Sequence, residues 1–321
     1  MFAVYADHPD ADDPLAALRV GERPDPDVPA GFLAVTVRAA SLNMHDLWTL
    51  RGVGIKPDQF PMILGCDGAG VLADGSDVVL YPVVTSPGWM GDETLDPDRS
   101  LLTERLQGSF ADTVVVPERN VLPKPETLSF AEAACMGTAW LTAYRMLFVK
   151  SGLRPGQTML VQGASGGVST ALVQLGRAAG MRVWVTGRSE QKRELARSLG
   201  AHAVFEPGAR LPERVDGVFE TVGKATWAHS MKSLKPGGIV VCSGATSGDA
   251  DATQLRRLFF LQLRVVGATM GTRDELADLL AFLDVSGVRP QIGAELAMTD
   301  AEQGFEAMLG GETSGKIVLT R

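Results

Sequence analysis

This 321-residue sequence predicts an α/β fold: a doubly wound parallel sheet joined to a second, β-rich part. Three observations carry that reading. From Thr158 onward, strand-like runs ("TMLVQ", "RVWVT", "HAVFE", "GVFETV", "IVVCSG", "RVVGATM") alternate with helical stretches ("GVSTALVQLGRAAG", "SEQKRELARSLG", "ATWAHSMKSL", "DATQLRRLFFLQL"). Such alternation is the pattern of parallel βαβ units. The first of these strands runs into a glycine-rich turn that opens a helix. The third observation is a change of texture, because residues 1–124 are rich in Val, Pro and Gly and hold short strand-like runs between turn clusters.

Each element follows in order. "GFLAVTVRAAS", "DVVLYPVV" and "ADTVVVP" read as strands of the first part, and prolines at 117, 123 and 125 close it. "SFAEAACMGTAWLTAYRMLFVKSG" then reads as a helix, with Ser129 as N-cap and Gly152 as its stop. The alternating region follows, and the tail from Val288 ends in a short strand able to rejoin the first part. A chain of this length, 45% apolar, suits two cores better than one. The expected domains are 1–124, rejoined by 287–321, and 125–286.

Composition excludes several roles. A net charge of −8 with no basic block argues against nucleic acid or an anionic membrane as partner. The start, "MFAVYADHPDADDP", lacks the features of a signal peptide, and no apolar run is long enough to span a bilayer. Three scattered cysteines, Cys66, Cys135 and Cys242, do not make a disulfide framework. A cytoplasmic location is the expectation.

The turn "GASGGV" sits between an apolar strand and a helix whose Val168, Leu172 and Leu175 share one face. Small residues there let the backbone approach a pyrophosphate, and the helix N-terminus supplies N–H groups. The three fingerprint places read Ala164, Gly166 and Ser169; Ala164, Ser165, Gly166, Gly167 and Val168 are the cofactor candidates here. An NAD site puts an acid about 20 residues further on, to hold the ribose hydroxyls. That place is Gly187, followed by Arg188 and, one turn along, Lys192. Glycine leaves room for a 2′-phosphate and arginine offers it a bidentate fork. The expected cofactor is NADPH.

With "VRAASLNMHDLWTLRG", "PMILGCDGAGV", "GSFADTVVVP", "LVQGASGGV", "VFETVGKATW", "LKPGGIVVCSGAT" and "SGKIVL" in this order, the chain resembles the medium-chain dehydrogenase/reductase superfamily, in its zinc-independent branch near quinone oxidoreductases and enoyl reductases. The resemblance implies a GroES-like substrate domain built from both chain ends, a Rossmann domain between them, and a homodimer formed through the last sheet strand. It also implies further cofactor contacts: Thr142 near the nicotinamide, Thr221, Val222 and Gly223, Ser243, Gly244, Ala245 and Thr246, Met270, Gly271 and Thr272, and Lys316.

Where zinc-dependent relatives place Cys, His and Cys with a Glu, this chain has Asn43, Cys66, Asp67 and Thr138. Two of the three ligand places cannot bind zinc in the usual way. The stretch matching the structural zinc lobe, "TSPGWMGDETLDPDRSLLTERLQ", contains no cysteine. No metal is therefore expected. Without a Lewis acid, the easier hydride acceptors are conjugated, a quinone or an α,β-unsaturated carbonyl, whose charge spreads to an oxygen that hydrogen bonds stabilise. Asn43, His45 and Thr138 are the candidate donors by position. Asp46 is expected to hold its own loop and Trp48 to line the pocket. "RGVGIKPDQF" has no tyrosine to serve as proton donor, which leaves water for that step. Two other readings stand beside this one: a zinc-free alcohol or aldehyde oxidoreductase, and a catalytically idle NADPH-binding protein.

Overall fold

The computed structural model describes residues 1–250, 254–312 and 314–321. By backbone contact they form two compact units, Met1–Ala139 with Thr272–Arg321, and Trp140–Gly271. These edges lie inside the helical stretch after Ser129 and just before helix Arg273–Ser286, about 15 residues from those expected at 124 and 287. Contact explains the difference. Helix Phe130–Ala133 packs on strands Phe32–Ser41 and Asp67–Val71, and Arg273 donates to the Arg119 carbonyl at 2.8 Å.

The first unit is β-rich, as its valine-rich runs predict. Its larger sheet runs Val121–Pro123, Asp77–Leu80, Asp67–Val71, Phe32–Ser41, Lys316–Thr320, Ile292–Ala297, with Thr113–Pro117 also paired to Phe32–Ser41. The tail does rejoin this unit: Val318 pairs with Ser41 in antiparallel register. That pairing brings Lys316 beside residues 42 and 43, some 270 positions earlier in the chain.

In the second unit a six-stranded sheet runs Ala203–Phe205, Arg182–Thr186, Thr158–Gln162, Val215–Glu220, Leu234–Cys242, Arg264–Gly267, all parallel. The chain starts in the middle and winds outward both ways, so the carboxyl ends of the central strands meet at the reversal point where ligands bind. Helix Gly167–Ala178 buries Leu172 and Leu175 against it. Its close approach depends on Gly176, where an added Cβ would sit 2.5 Å from Met159 Sδ.

One element departs from expectation. The stretch after Ser129 is not a single regular helix but short α-turns, Phe130–Ala133 and Leu141–Tyr144, interleaved with wide π-type turns at Met136–Trp140 and Arg145–Lys150. Its ends are as read: the Ser129 hydroxyl accepts from Glu132 N, and Gly152 has φ +65°. Helix Leu255–Phe260 starts after the residues first assigned to it; the expected beginning at 251–253 lies outside the described residues. Among the described residues, no helix is long and apolar enough to cross a membrane.

Candidate active site

Two polar clusters stand out, one in each unit. In the first, the Asp67 carboxylate is fully buried at the start of its strand. Ser41 Oγ donates to Asp67 Oδ2 at 3.1 Å, Asn43 Nδ2 to the same oxygen at 2.9 Å, and Thr138 Oγ1 to Oδ1 at 2.5 Å. Lys316, only 3% exposed, places its ammonium 3.5 Å from Oδ2. It also donates to the Leu42 carbonyl at 2.7 Å and to Asn43 Oδ1 at 2.6 Å. Lys316 was expected at the cofactor; here it is a buried cation inside the β-rich unit.

This geometry changes the reading of two candidate donors. The two hydrogens of the Asn43 amide face Ser41 O (3.1 Å), Asp67 Oδ2 and, more distantly, Cys66 Sγ (3.6 Å). The single hydroxyl hydrogen of Thr138 is directed at Asp67, and Cys66 Sγ lies 3.3 Å from its oxygen. Both side chains are committed to the carboxylate. Neither has a hydrogen left over for an external oxygen.

A zinc ion does not fit this set. Tetrahedral zinc needs at least three nitrogen, thiolate or carboxylate ligands. Here one place is an amide whose oxygen already accepts from Lys316, another is a hydroxyl, and the carboxylate is surrounded by donors. Burial also pushes the Cys66 thiol well above its ordinary range, against thiolate formation. A positive charge is already in place.

Asp46 behaves as expected. Its carboxyl accepts from Asn43 N at 2.8 Å and Gly65 N at 2.9 Å, fastening the first turn of helix Met44–Leu50. Burial pushes its pKa up to about 7, against the pull of those two bonds. Trp48, with Met44, stands exposed on that helix rather than packed within the unit.

The second cluster lines the carboxyl ends of the parallel strands. Gly163 adopts φ +88°, which only glycine takes without strain, and Gly166 caps helix Gly167–Ala178 with open space where a Cβ would point. Ser165 and Ala164 are buried in the same turn. Thr221, Val222 and Gly223 follow strand Val215–Glu220, and Ser243 to Thr246 follow Leu234–Cys242. These two loops are joined by Thr246 N to Thr221 O at 3.3 Å and Ser247 N to Val222 O at 2.8 Å. The Ser243 hydroxyl is buried with no hydrogen-bond partner among the described residues. Three of the predicted segments thus lie together at the carboxyl ends of the strands, with a helix N-terminus and an orphaned donor: features that fit a dinucleotide.

Just beyond strand Arg182–Thr186, Arg188 is exposed and has no hydrogen bond or ion pair among the described residues. Partial burial and the nearby Arg188 charge both lower the Lys192 pKa. Two cations that disfavour one another at the start of helix Glu190–Ser198 gain from an anion between them. Sequence reasoning missed Arg193, which donates to the Gly187 carbonyl at 2.8 Å and pairs with Glu190. A Cβ on Gly187 would lie 3.0 Å from Arg193 Cγ and 3.1 Å from Ala164 Cβ. Gly187→Asp is therefore a repacking as well as a charge change.

The other candidates are placed as follows. Thr142 is buried in the turn Leu141–Tyr144. Met270 takes φ +50° and is buried next to Gly271, beyond the last strand of the sheet. Thr272 caps helix Arg273–Ser286 by accepting from Glu275 N, so its hydroxyl already has a structural task.

His45 is the remaining candidate, and it has a buried, unpartnered atom. The residue is 8% exposed, hydrogen-bonds the Leu102 backbone, and leaves Nε2 with no hydrogen-bond partner among the described residues, 3.8 Å from Glu104 Oε1. Burial lowers its pKa to about 4, against the smaller opposing effects of Leu102 and the Asp67 charge. Burial likewise raises the Glu104 pKa. An unfolded imidazole takes up its proton at higher pH than this folded one. The stability carried by the neutral ring is therefore complete above about pH 6.5 and is lost as pH falls toward 4. Between pH 7 and pH 5, wild type is expected to lose about 2 kcal/mol relative to His45→Gln in urea unfolding. A difference that does not change with pH would contradict the buried, neutral ring.

Two family models match the chain: the alcohol dehydrogenase GroES-like domain over residues 29–126 and the zinc-binding dehydrogenase model over 167–284. The chain is 28% identical to a mouse (Mus musculus) quinone oxidoreductase, over 89% of this chain and 88% of that protein. It is 25% identical to a Streptomyces avermitilis crotonyl-CoA reductase, over 91% and 79% respectively. A solved structure of an NAD-dependent alcohol dehydrogenase superposes with a TM-score of 0.92 at 31% identity, covering 100% of both chains. The parallel sheet, the glycine turn and these likenesses agree: the chain belongs to the medium-chain dehydrogenase/reductase family of oxidoreductases.

Proposed function

We propose that this protein is an NADPH-dependent reductase of quinones or α,β-unsaturated carbonyls that works without zinc. The observation that carries the reading is the Lys316 ammonium held by Asp67 and Asn43, among the residues that the family resemblance matches to the zinc-ligand places. With that place filled by a lysine already engaged in hydrogen bonds, no Lewis acid polarises a simple ketone, and acceptors activated by conjugation are favoured. Relatives named as a quinone oxidoreductase and a crotonyl-CoA reductase support that class.

NADPH, when bound, supplies the hydride. The residues proposed to hold it are the 163–168 turn at the pyrophosphate, Arg188 and Lys192 at the 2′-phosphate, and the loops 221–223, 243–246 and 270–271 along the rest of the crevice. Of the proposed catalytic residues, Asn43 and Thr138 position the buried ion pair, and His45, a neutral ring that donates from Nδ1 to Leu102, leaves a buried Nε2 that can accept but not donate. A neutral imidazole is suited to hydrogen bonding rather than to electrostatic stabilisation.

Zinc-free alcohol or aldehyde oxidation is the second reading, favoured by the likeness to an NAD-dependent alcohol dehydrogenase structure. One panel separates the readings. Consumption of NADPH with quinones and enones is expected, and alcohol-dependent reduction of NADP is not; the reverse result reverses the assignment. Turnover with neither would leave a cofactor-binding protein without this activity.

Cofactor choice is tested by titration. An Arg–phosphate hydrogen bond is worth roughly 1.5–3 kcal/mol, about ten- to a hundredfold in affinity. Arg188→Ala is expected to weaken NADPH by that factor and leave NADH nearly unchanged. Equal losses for both would make Arg188 a solvated helix-start residue.

We also propose a homodimer. Strand Arg264–Gly267 ends the sheet with Val265 exposed, close in sequence to the exposed Leu255, Phe259 and Phe260. An apolar sheet edge of this kind favours pairing with a second copy. Light scattering at micromolar concentration is expected to give twice the chain mass of 34.1 kDa. A monodisperse monomer would contradict it.

A further inference from the structure

Beneath the crevice runs a chain of buried hydrogen bonds that ties its loops together. Gly163 N donates to Thr186 Oγ1 at 3.3 Å, and Thr186 Oγ1 donates to Gln162 Oε1 at 2.6 Å. Gln162 Nε2 lies 2.9 Å from Ser230 Oγ and 3.0 Å from His229 Nδ1. Ser230 Oγ donates to Glu220 Oε2 at 2.6 Å. The Glu220 carboxylate then accepts from Val222 N at 2.8 Å, Gly223 N at 3.1 Å and the Thr226 hydroxyl at 2.8 Å. Gln162, Glu220 and Ser230 are fully buried, and Thr186 is 1% exposed.

Chemistry leaves this chain one direction. A carboxylate only accepts, so the Ser230 hydrogen points at Glu220 and its oxygen receives a hydrogen from the Gln162 amide. The Gln162 carbonyl must then face Thr186, which donates to it. His229 Nε2 lies 2.9 Å from the Ala209 carbonyl, so the ring proton sits there and Nδ1 accepts the second amide hydrogen. Each hydrogen of the chain has an assigned acceptor, and the ends of three central strands are locked to one another.

Thr186 immediately precedes Gly187 and Arg188. We propose that Thr186, held by Gln162, is a positioning residue for cofactor selectivity: it fixes the strand end that presents Arg188 relative to the pyrophosphate turn at Gly163, without itself contacting the 2′-phosphate. The proposal rests on Arg188 recognising that phosphate. The chain of hydrogen bonds turns a surface arginine into one with a defined origin.

The test is titration of NADPH and NADH, read as dissociation constants, into wild type, Thr186→Val, Thr186→Ser, Arg188→Ala and the Thr186→Val/Arg188→Ala double variant. Thr186→Val keeps the shape and removes the hydroxyl. It is expected to lower the NADPH-to-NADH preference about fivefold, the worth of one neutral hydrogen bond. Thr186→Ser should keep the wild-type preference. In the Arg188→Ala background, Thr186→Val should change both affinities by the same factor, because the pair acts through one group. An equal loss for both cofactors in Thr186→Val alone would reduce Thr186 to a support of the fold and overturn the proposal. If wild type shows no preference, or Arg188→Ala weakens both equally, the NADPH reading itself fails and this proposal with it. Should Thr186→Val not fold, Gln162→Met removes the acceptor instead and is judged by the same ratios.

Discussion

A carboxylate with no exposure to water has to be surrounded by donors, and the β-rich unit is organised around meeting that need at Asp67. Ser41 and Asn43 reach it from the end of one strand, Thr138 from the helical stretch after Ser129, and Lys316 from the last strand of the chain. Gly137 is part of the same arrangement, since a Cβ there would approach Asp67 Oδ1 to 2.8 Å. Removing one partner of a buried ion pair typically costs about 3–5 kcal/mol, because the other charge is left unpaired. Asp67 and Lys316 therefore constrain one another, and the two chain ends are joined where they meet.

The second unit meets the same need differently. Glu220 is equally buried, but two backbone N–H groups and two hydroxyls satisfy it without an ion pair. The difference has consequences for chemistry. At Asp67 the answer is a cation, the Lys316 ammonium, alongside three side-chain donors. At Glu220 the answer is a set of loop and helix donors, and the nearby Arg188 is exposed.

Local signals made much of this legible from residues alone. Strand and helix periods marked the parallel sheet, and the glycine turn marked the start of helix Gly167–Ala178. Position along the chain could not reveal long-range register. Lys316 is expected at the cofactor because nothing in "SGKIVL" shows that Val318 pairs with Ser41. The donor roles expected of Asn43 and Thr138 were counted before their hydrogens could be assigned, and the structure assigns them to Asp67. Glu220 and Gln162 left only a faint mark, an acid and an amide ending otherwise apolar strands. The wide turns after Ser129 left none, since their apolar pattern is that of an ordinary helix.

The central claim is that a lysine, and not a metal, supplies the positive charge beside Asp67. Elemental analysis of the full chain, produced with zinc in the medium and then passed through a desalting column, addresses it directly. Far less than one zinc per chain is predicted, with NADPH oxidation unchanged by a chelator. Close to one tightly held zinc per chain, with activity lost on chelation and restored by zinc, would contradict the account.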